Sequence, residues 1–387
     1  MISVTKVVNE IIPRIIKSNK NIIPFLVGKP GISKTSQLHS LCNKNNWALI
    51  PIHLGLIPME MLSGIPEIRR DKENENISKT YWSIPEIIHK ANELSKTHEY
   101  VILFFDDIHL ADKSKQSYFF ELASERSLQG YKLNDNVKIV CAGNDSAKAG
   151  AKAFMSAIIN RFVLIPVYLP VEEWIKWAIE NNIHNSVISF IIANKDNENF
   201  LCGEEDVKPF PSPRAYERLS DMLYLFEDIY GSIDKMFSDS NLETELIDII
   251  NGTIGSQVGS EFLNFIKYTQ GVDFLKLAEN PEKIMEYPEE RRIPIYYSLV
   301  NKVITDKKLN KYIYRLLDFA FTILGDNGNQ LHHTIVILDL LKSVDKELYD
   351  KVVSCSELYI NDFVDTKYVN KKVIINKIRE ELMKLYK

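Results

Sequence analysis

The chain has 387 residues, enough for two or three domains. Hydrophobic residues make up 45% and charged residues 26%, as in ordinary globular proteins, and the net charge of −5 argues against a protein that coats nucleic acid. No apolar run reaches the roughly 18 residues that a membrane span needs, and the four cysteines lack any metal-binding spacing, so we expect reduced thiols and a cytoplasmic protein.

The first half of the chain alternates between strand and helix patterns. An N-terminal segment with apolar residues at helical spacing predicts a helix. Short apolar runs then predict five strands, at Ile22 to Val27, at Trp47 to His53 and within "YVILFFDDIH", "VKIVCAGN" and "FVLIPV". Helical patterns stand between these strands, and such alternation predicts a parallel sheet covered on both faces, which is an α/β fold with three αβα layers.

Two other regions depart from this alternation. Residues Ile65 to Trp82 contain two short runs around the charged segment Asp71 to Asn76, which predicts a projecting hairpin. From Val171 onward the pattern is helical, and the part after about Gln270 carries no chemical motif. The adjacent histidines His332 and His333 cannot face one metal on a helix, and we expect them on an exposed helix or turn.

The stretch "FLVGKPGISKTSQ" resembles a phosphate-binding loop, or P-loop. Gly28, Gly31, Lys34 and Thr35 stand at its required positions: backbone N–H groups wrap the phosphates, the lysine reaches the terminal phosphates, and the threonine hydroxyl ligates magnesium. A strand enters and a helix leaves, so the helix dipole favours an anion. The residues predicted to bind nucleotide are Gly28, Pro30, Gly31, Ile32, Ser33, Lys34, Thr35 and Ser36.

Ser33 replaces the glycine that usually precedes the lysine. At a helix start, right-handed backbone angles are open to any residue, so we expect the loop to form, and the open question is crowding by the serine Cβ and hydroxyl.

Polar side chains follow two of the predicted strands. Asp106 and Asp107 come directly after a fully apolar strand, at the end where open parallel sheets bind ligands. Asp106 is the predicted partner of Thr35 in holding Mg²⁺, and Asp107 the predicted general base for an attacking water. Asn144 ends the next strand, where its amide can orient that water, although a Gly-Asn pair is also a plain turn signal.

Two arginines complete the set of candidate catalytic residues. Arg161 lies between a predicted helix and a strand, where it would be exposed at a subunit edge and could stabilise charge on a neighbour's terminal phosphate. Arg214 begins a helix after Pro213, where it could close over the nucleotide of its own subunit. Each has a plain alternative, an ordinary surface arginine.

Taken in this order, the motifs resemble the AAA+ ATPases, and within them the MoxR-like branch, over about residues 1 to 265. The resemblance implies that ATP and Mg²⁺ are the cofactors, that Asn144 is sensor 1, Arg161 the arginine finger and Arg214 sensor 2. Asp107 departs from the family's usual glutamate. The implied domains are an αβα core at 1–170, a helical lid at 171–270 and a helical C-terminal region of unknown role at 271–387.

The resemblance also implies how such a protein acts. An arginine meant for a neighbour's phosphate requires a ring, most often a hexamer, and the family implies a protein partner, often one with a von Willebrand factor A domain. Two alternatives stay open: a nucleotide-binding interaction module with little turnover, and a DNA-acting motor that would use Arg69, Arg70 and Lys72 of the hairpin. The overall charge gives nucleic-acid binding no support.

Overall fold

The computed structural model describes residues 1–18, 20–70, 78–144, 162–203, 208–322, 330–347 and 349–350. Internal contacts divide the chain into two compact units, Met1–Leu169 and Pro170–Lys387. The first holds all the described strands, and the second is helical throughout its described part.

The first unit is built on a parallel sheet. The described strands are β1 (Ile2–Ser3), β2 (Pro24–Val27), β3 (Ala48–His53), β4 (Pro66–Arg70), β5 (Ser78–Trp82), β6 (Val101–Asp106), β7 (Ser127–Leu128), β8 (Tyr131–Lys132), β9 (Val137–Gly143) and β10 (Val163–Tyr168). Six of them form one sheet in the order β1-β10-β2-β9-β6-β3, in which each neighbouring pair is parallel. The predicted fold class is therefore confirmed, and the short edge strand β1 is an addition to it.

Helices flank this sheet. They are α1 (Val4–Lys6), which continues through a π-helical turn (Val7–Ile11) into α2 (Ile12–Lys17), then α3 (Lys34–Asn45), α4 (Glu60–Ser63), α5 (Glu86–Leu94) and α6 (Lys113–Glu125). A 3₁₀ turn (Ile108–Leu110) follows β6. The strand-and-helix alternation that the sequence predicts is present between β2 and β9.

The core of the first unit explains why the central strands are continuous apolar runs. All five residues from Val101 to Phe105 are buried, so β6 is covered on both faces. On one face, Phe105 and Phe162 pack against Phe119 of α6, with ring centroids 4.7 Å and 5.6 Å away. Burying a phenylalanine side chain is worth about 1.5–3 kcal/mol, so this cluster fixes how α6 lies on the sheet.

The predicted hairpin is confirmed. Strands β4 and β5 pair antiparallel, with Pro66 opposite Trp82 and Arg70 opposite Ser78, and all ten of their residues are exposed. The Arg69 guanidinium pairs with Glu67 and lies 5.5 Å from the centroid of the Tyr81 ring. The turn predicted at residues 71–76 lies outside the described residues.

The second unit consists of helices. They are α7 (Val171–Glu180), α8 (Asn185–Ala193), α9 (Pro213–Tyr230), α10 (Ile233–Met236), α11 (Ser240–Ile254), α12 (Ser256–Thr269), α13 (Phe274–Glu279), α14 (Glu289–Thr305), α15 (Ile313–Thr322) and α16 (Gln330–Val344). Helix α14 packs against α8 and α12. The Asn301 side chain on α14 is 1% exposed and donates from Nδ2 to Ser189 Oγ on α8 at 3.1 Å. Helices on both sides of residue 270 thus share one core, and the boundaries at residues 170 and 270 stay predictions.

His333 corrects one expectation. It lies on a helix, α16, as one of the two expectations had it. Its side chain, however, is only 8% exposed, and its Nδ1 lies 3.0 Å from the Tyr297 hydroxyl. The expectation of an exposed site was wrong here because a buried tyrosine partner satisfies the imidazole, which lets the ring enter the core.

Cys42 and Cys141 are buried free thiols. Burial raises the pKa of Cys42 to about 12 and that of Cys141 well above its usual value. Among the described residues, none of the helices combines the length and the apolar character that crossing a membrane requires.

Candidate nucleotide-binding site

Three neighbouring strand ends bring the candidate residues together. Strand β9 lies between β2 and β6, with Val27 level with Gly143 and Ala142 level with Asp106. All three strands are parallel, so their carboxyl ends meet at one edge of the sheet. The loop after β2, Asn144 after β9 and the acidic pair after β6 therefore converge, as expected at the crevice of an open α/β sheet.

The loop between β2 and α3 has a left-handed backbone at two positions. Gly31 has φ of 77°, and Ser33 has φ of 65° and ψ of 21°. A left-handed residue directly before a right-handed helical one turns successive N–H groups toward a common point, which forms an anion-binding nest. The loop thus has the backbone shape that a phosphate group requires.

The Ser33 angles overturn the expectation of an ordinary right-handed backbone there. The usual glycine is favoured because the position is left-handed, and a side chain in that region costs about 1–2 kcal/mol. The first turn of α3 holds Ser33 in place: the Ser33 carbonyl accepts from the Gln37 N–H at 3.0 Å and from the Ser36 hydroxyl at 3.2 Å.

Position 28 requires glycine because a side chain would not fit there, and its backbone angles do not require glycine. A Cβ on it would lie 2.6 Å from the Val167 carbonyl oxygen on β10 and 2.8 Å from Ile32 Cδ1. Its own N–H donates to the Gly143 carbonyl at 3.3 Å. The start of the loop therefore packs closely between β10 and β9. The Ile32 side chain is buried beneath the loop, with 2% of its surface exposed.

Lys34 is the most tightly held side chain of the site. It is 7% exposed, and its ammonium donates to the carbonyls of Gly28 and Lys29 at 3.0 Å each and to Asn144 Oδ1 at 3.3 Å. Buried charges require such partners. The two residues predicted to act on the terminal phosphate, Lys34 and Asn144, lie in contact although 110 positions separate them in the sequence.

Thr35 and Asp106 form the second contact between the loop and a strand end. The threonine hydroxyl donates to Asp106 Oδ2 at 2.6 Å, and both residues are half-buried. A carboxylate and a hydroxyl are the hard oxygen ligands that Mg²⁺ takes alongside phosphate and water. The donor set thus fits Mg²⁺ beside a bound phosphate chain.

Asp107 lies next to this pair in a left-handed conformation, with φ of 49° and ψ of 43°. Its N–H donates to the Ala142 carbonyl and to Asp106 Oδ1, each at 3.1 Å, and the 3₁₀ turn begins after it. Aspartate tolerates the left-handed region better than glutamate because its short side chain can bond locally. The backbone therefore gives a physical reason for aspartate at a position where the sequence pattern suggested glutamate.

Three predicted site residues remain. Arg161 lies outside the described residues. Arg214 is exposed on the first turn of α9 in the second unit, where Ser212 caps the helix through a bond from the Ala215 N–H at 3.2 Å. Pro30 is half-buried in the loop. In the part of the chain that the structure describes, no three His, Cys, Asp or Glu side chains gather as a further metal site.

His53 is a neighbour that the sequence reasoning missed. It ends β3 and is level with Asp106 in the parallel register, so the two side chains share a face of the sheet, and His53 is exposed. The available signal was its position: a polar residue that ends a predicted strand, as Asp106 and Asn144 do.

This fold and this site define a P-loop nucleotide-binding domain. Residues 24–166 match the model of the family described as "ATPase family associated with various cellular activities (AAA)". That stretch contains every candidate residue described above except Arg214.

Solved structures give a looser likeness. A point mutant of RuvB from Thermotoga maritima is 11% identical, with 73% of this chain and 76% of that chain covered and a TM-score of 0.33. NtrX from Brucella abortus in complex with ADP is 14% identical, with 87% and 67% covered and a TM-score of 0.38. A comparison with curated proteins found no match.

Proposed function

We propose that the chain is an ATP-hydrolysing motor of the MoxR-like branch of AAA+ ATPases, acting as a ring to remodel or activate a protein partner. One observation carries the proposal: within a domain of an ATPase family, Thr35 pairs with Asp106 at 2.6 Å while Lys34 pairs with Asn144 at 3.3 Å. These are the groups that a phosphoryl-transfer site needs side by side.

Each residue has a distinct role in this proposal. The N–H groups of the loop and the Lys34 ammonium bind the phosphates of ATP, and Thr35 and Asp106 hold Mg²⁺, which neutralises phosphate charge. Asp107 accepts a proton from the attacking water, and Asn144 orients that water. Because Asp107 is short and fixed in a left-handed turn, the water must approach closely, so we expect modest or partner-stimulated turnover.

The ring completes the site. In the proposal Arg161 reaches the terminal phosphate of the neighbouring subunit, and Arg214 closes over the nucleotide of its own subunit as the 171–270 lid moves on the 1–170 core. The ring is a hexamer in the cytoplasm, and its partner carries a von Willebrand factor A domain. Helix α14 lies within the proposed C-terminal region and packs on α8, so in the proposal α14 moves with the lid.

Turnover in three proteins tests the proposal. Wild type, Lys34→Ala and Asp107→Asn are assayed for phosphate release with ATP and Mg²⁺, and each is sized with and without ATP. Asparagine tolerates the left-handed backbone as well as aspartate does, so it removes the base with little strain. We expect ATP-dependent assembly and turnover in wild type, assembly without turnover in Asp107→Asn, and neither in Lys34→Ala. Wild-type turnover no higher than that of the variants would refute the proposed ATPase activity.

A second candidate is a module that assembles on ATP without hydrolysing it. The left-handed backbones of Ser33 and Asp107 favour it, since both depart from the usual residues where geometry is tight. It predicts ATP-dependent assembly with equal, negligible turnover in wild type and Asp107→Asn. A DNA-acting motor has weaker support, because Arg69 of the exposed hairpin is engaged with Glu67; salt-dependent DNA binding in a shift assay would favour it.

A further inference from the structure

The Ser33 side chain differs from the side chains that cap three other helices of this chain. Asp112, Ser212 and Asp239 each precede a helix with an extended backbone, and each side chain accepts an N–H of the first turn, as N-cap residues do. Ser33 stands at the same position before α3, a helix of 12 residues, but its backbone is left-handed and its side chain makes no capping bond.

The consequence concerns hydrogen-bond donors. A capping serine occupies one N–H of the first turn, whereas the Ser33 hydroxyl leaves those N–H groups to the anion nest. The hydroxyl is also attached to the nest itself, one residue before Lys34, and Ser33 is half-buried rather than directed fully into solvent. Its O–H is thus a hydrogen-bond donor carried by a residue of the nest.

We infer that the Ser33 hydroxyl is an additional phosphate ligand, donating a hydrogen bond to a phosphate oxygen of the bound nucleotide. The inference rests on the proposed nucleotide binding and deepens it. The usual glycine contributes only its N–H at this position, so serine adds one donor that glycine cannot supply. Serine at this position then strengthens nucleotide binding, and the strained backbone is the cost of placing that donor.

Two substitutions separate the hydroxyl from the backbone strain. Ser33→Ala removes the hydroxyl and keeps Cβ and the left-handed residue, whereas Ser33→Gly removes the hydroxyl and relieves the strain. Binding of Mg–ADP, which is not turned over, is measured by calorimetry for wild type and both variants. Ser117→Ala, an exposed serine on α6, is the matched control.

We expect Ser33→Ala to bind Mg–ADP about tenfold more weakly than wild type, as loss of a hydrogen bond to a charged group implies, with an unchanged melting temperature. Ser33→Gly also binds more weakly although it melts higher, and Ser117→Ala binds like wild type. If Ser33→Ala binds as tightly as wild type, or Ser33→Gly binds more tightly, the hydroxyl only crowds the loop and the inference is wrong. If wild type itself binds no Mg–ADP, the proposed function fails instead.

Discussion

Gly28 offers a test of how tightly the loop is built into the sheet. Its backbone angles suit any residue, so Gly28→Ala tests space alone. The new Cβ would lie 2.6 Å from the Val167 carbonyl oxygen, a backbone atom of β10 that cannot rotate away, and 2.8 Å from Ile32 Cδ1. Separating β2 from β10 to admit one methyl group costs about 1–3 kcal/mol, as overpacking generally does.

That cost has a thermal readout. In a unit of this size 1 kcal/mol corresponds to roughly 2–4 °C in melting temperature, so we expect Gly28→Ala to melt about 2–12 °C lower. Its nucleotide affinity also falls, because the Gly28 carbonyl anchors the Lys34 ammonium at 3.0 Å.

Gly252→Ala is the matched control for this change. Gly252 lies within α11, and a Cβ there would meet nothing within 4 Å. Alanine is favoured over glycine inside a helix by about 0.5–1 kcal/mol, so this variant melts at or above the wild-type temperature. Thermal unfolding followed by circular dichroism compares the three proteins. A Gly28→Ala protein that melts like wild type and binds nucleotide equally well would contradict the inference that Gly28 packs too closely against β10 to accept a side chain.

Three further outcomes follow from the site and from one buried histidine. Thr35→Val keeps the side-chain shape but removes the hydroxyl, so Mg²⁺-dependent ATP binding weakens at least about tenfold, whereas Thr35→Ser binds within a small factor of wild type; equal binding by all three would contradict the pairing with Asp106. Asp107→Glu lowers the melting temperature without raising turnover, because glutamate fits the left-handed region poorly; faster turnover at an unchanged melting temperature would contradict this. Burial lowers the pKa of His184, although Glu227 opposes the shift. The neutral ring is therefore favoured in the folded state, so the stability it contributes is present above its ordinary pKa of about 6.5 and is lost as pH falls below that value. Urea unfolding at pH 7.5 and 5.5 should show a larger loss of unfolding free energy in wild type than in His184→Asn, which keeps a capping acceptor. An equal loss in the two proteins would contradict the assignment.

The sequence was most informative where local pattern and topology agree. The apolar run before Asp106 predicted a strand buried on both faces, and parallel strands must end at one edge, so the convergence of the loop, Asp106 and Asn144 could be anticipated. The hairpin could be placed as well, because its two runs flank a charged turn.

Other features depend on dihedral angles and distant contacts that residue types do not specify. Ser33 was expected to be right-handed because a helix follows, yet closing the nest requires a left-handed residue at that point. His333 was expected outside the core, and only its tyrosine partner on α14, 36 residues away, explains its burial. His53 was overlooked because its relation to Asp106 depends on strand order, which spacing alone does not give.

Calorimetric titration of the chain with ATP in the presence of Mg²⁺ tests the central claim most directly. The claim is that the loop after β2 and the ends of β6 and β9 form one nucleotide site. We predict saturable binding of one ATP per chain in wild type, and loss of that binding in Lys34→Ala. Wild type that binds no ATP, or Lys34→Ala that binds it equally well, would contradict the account.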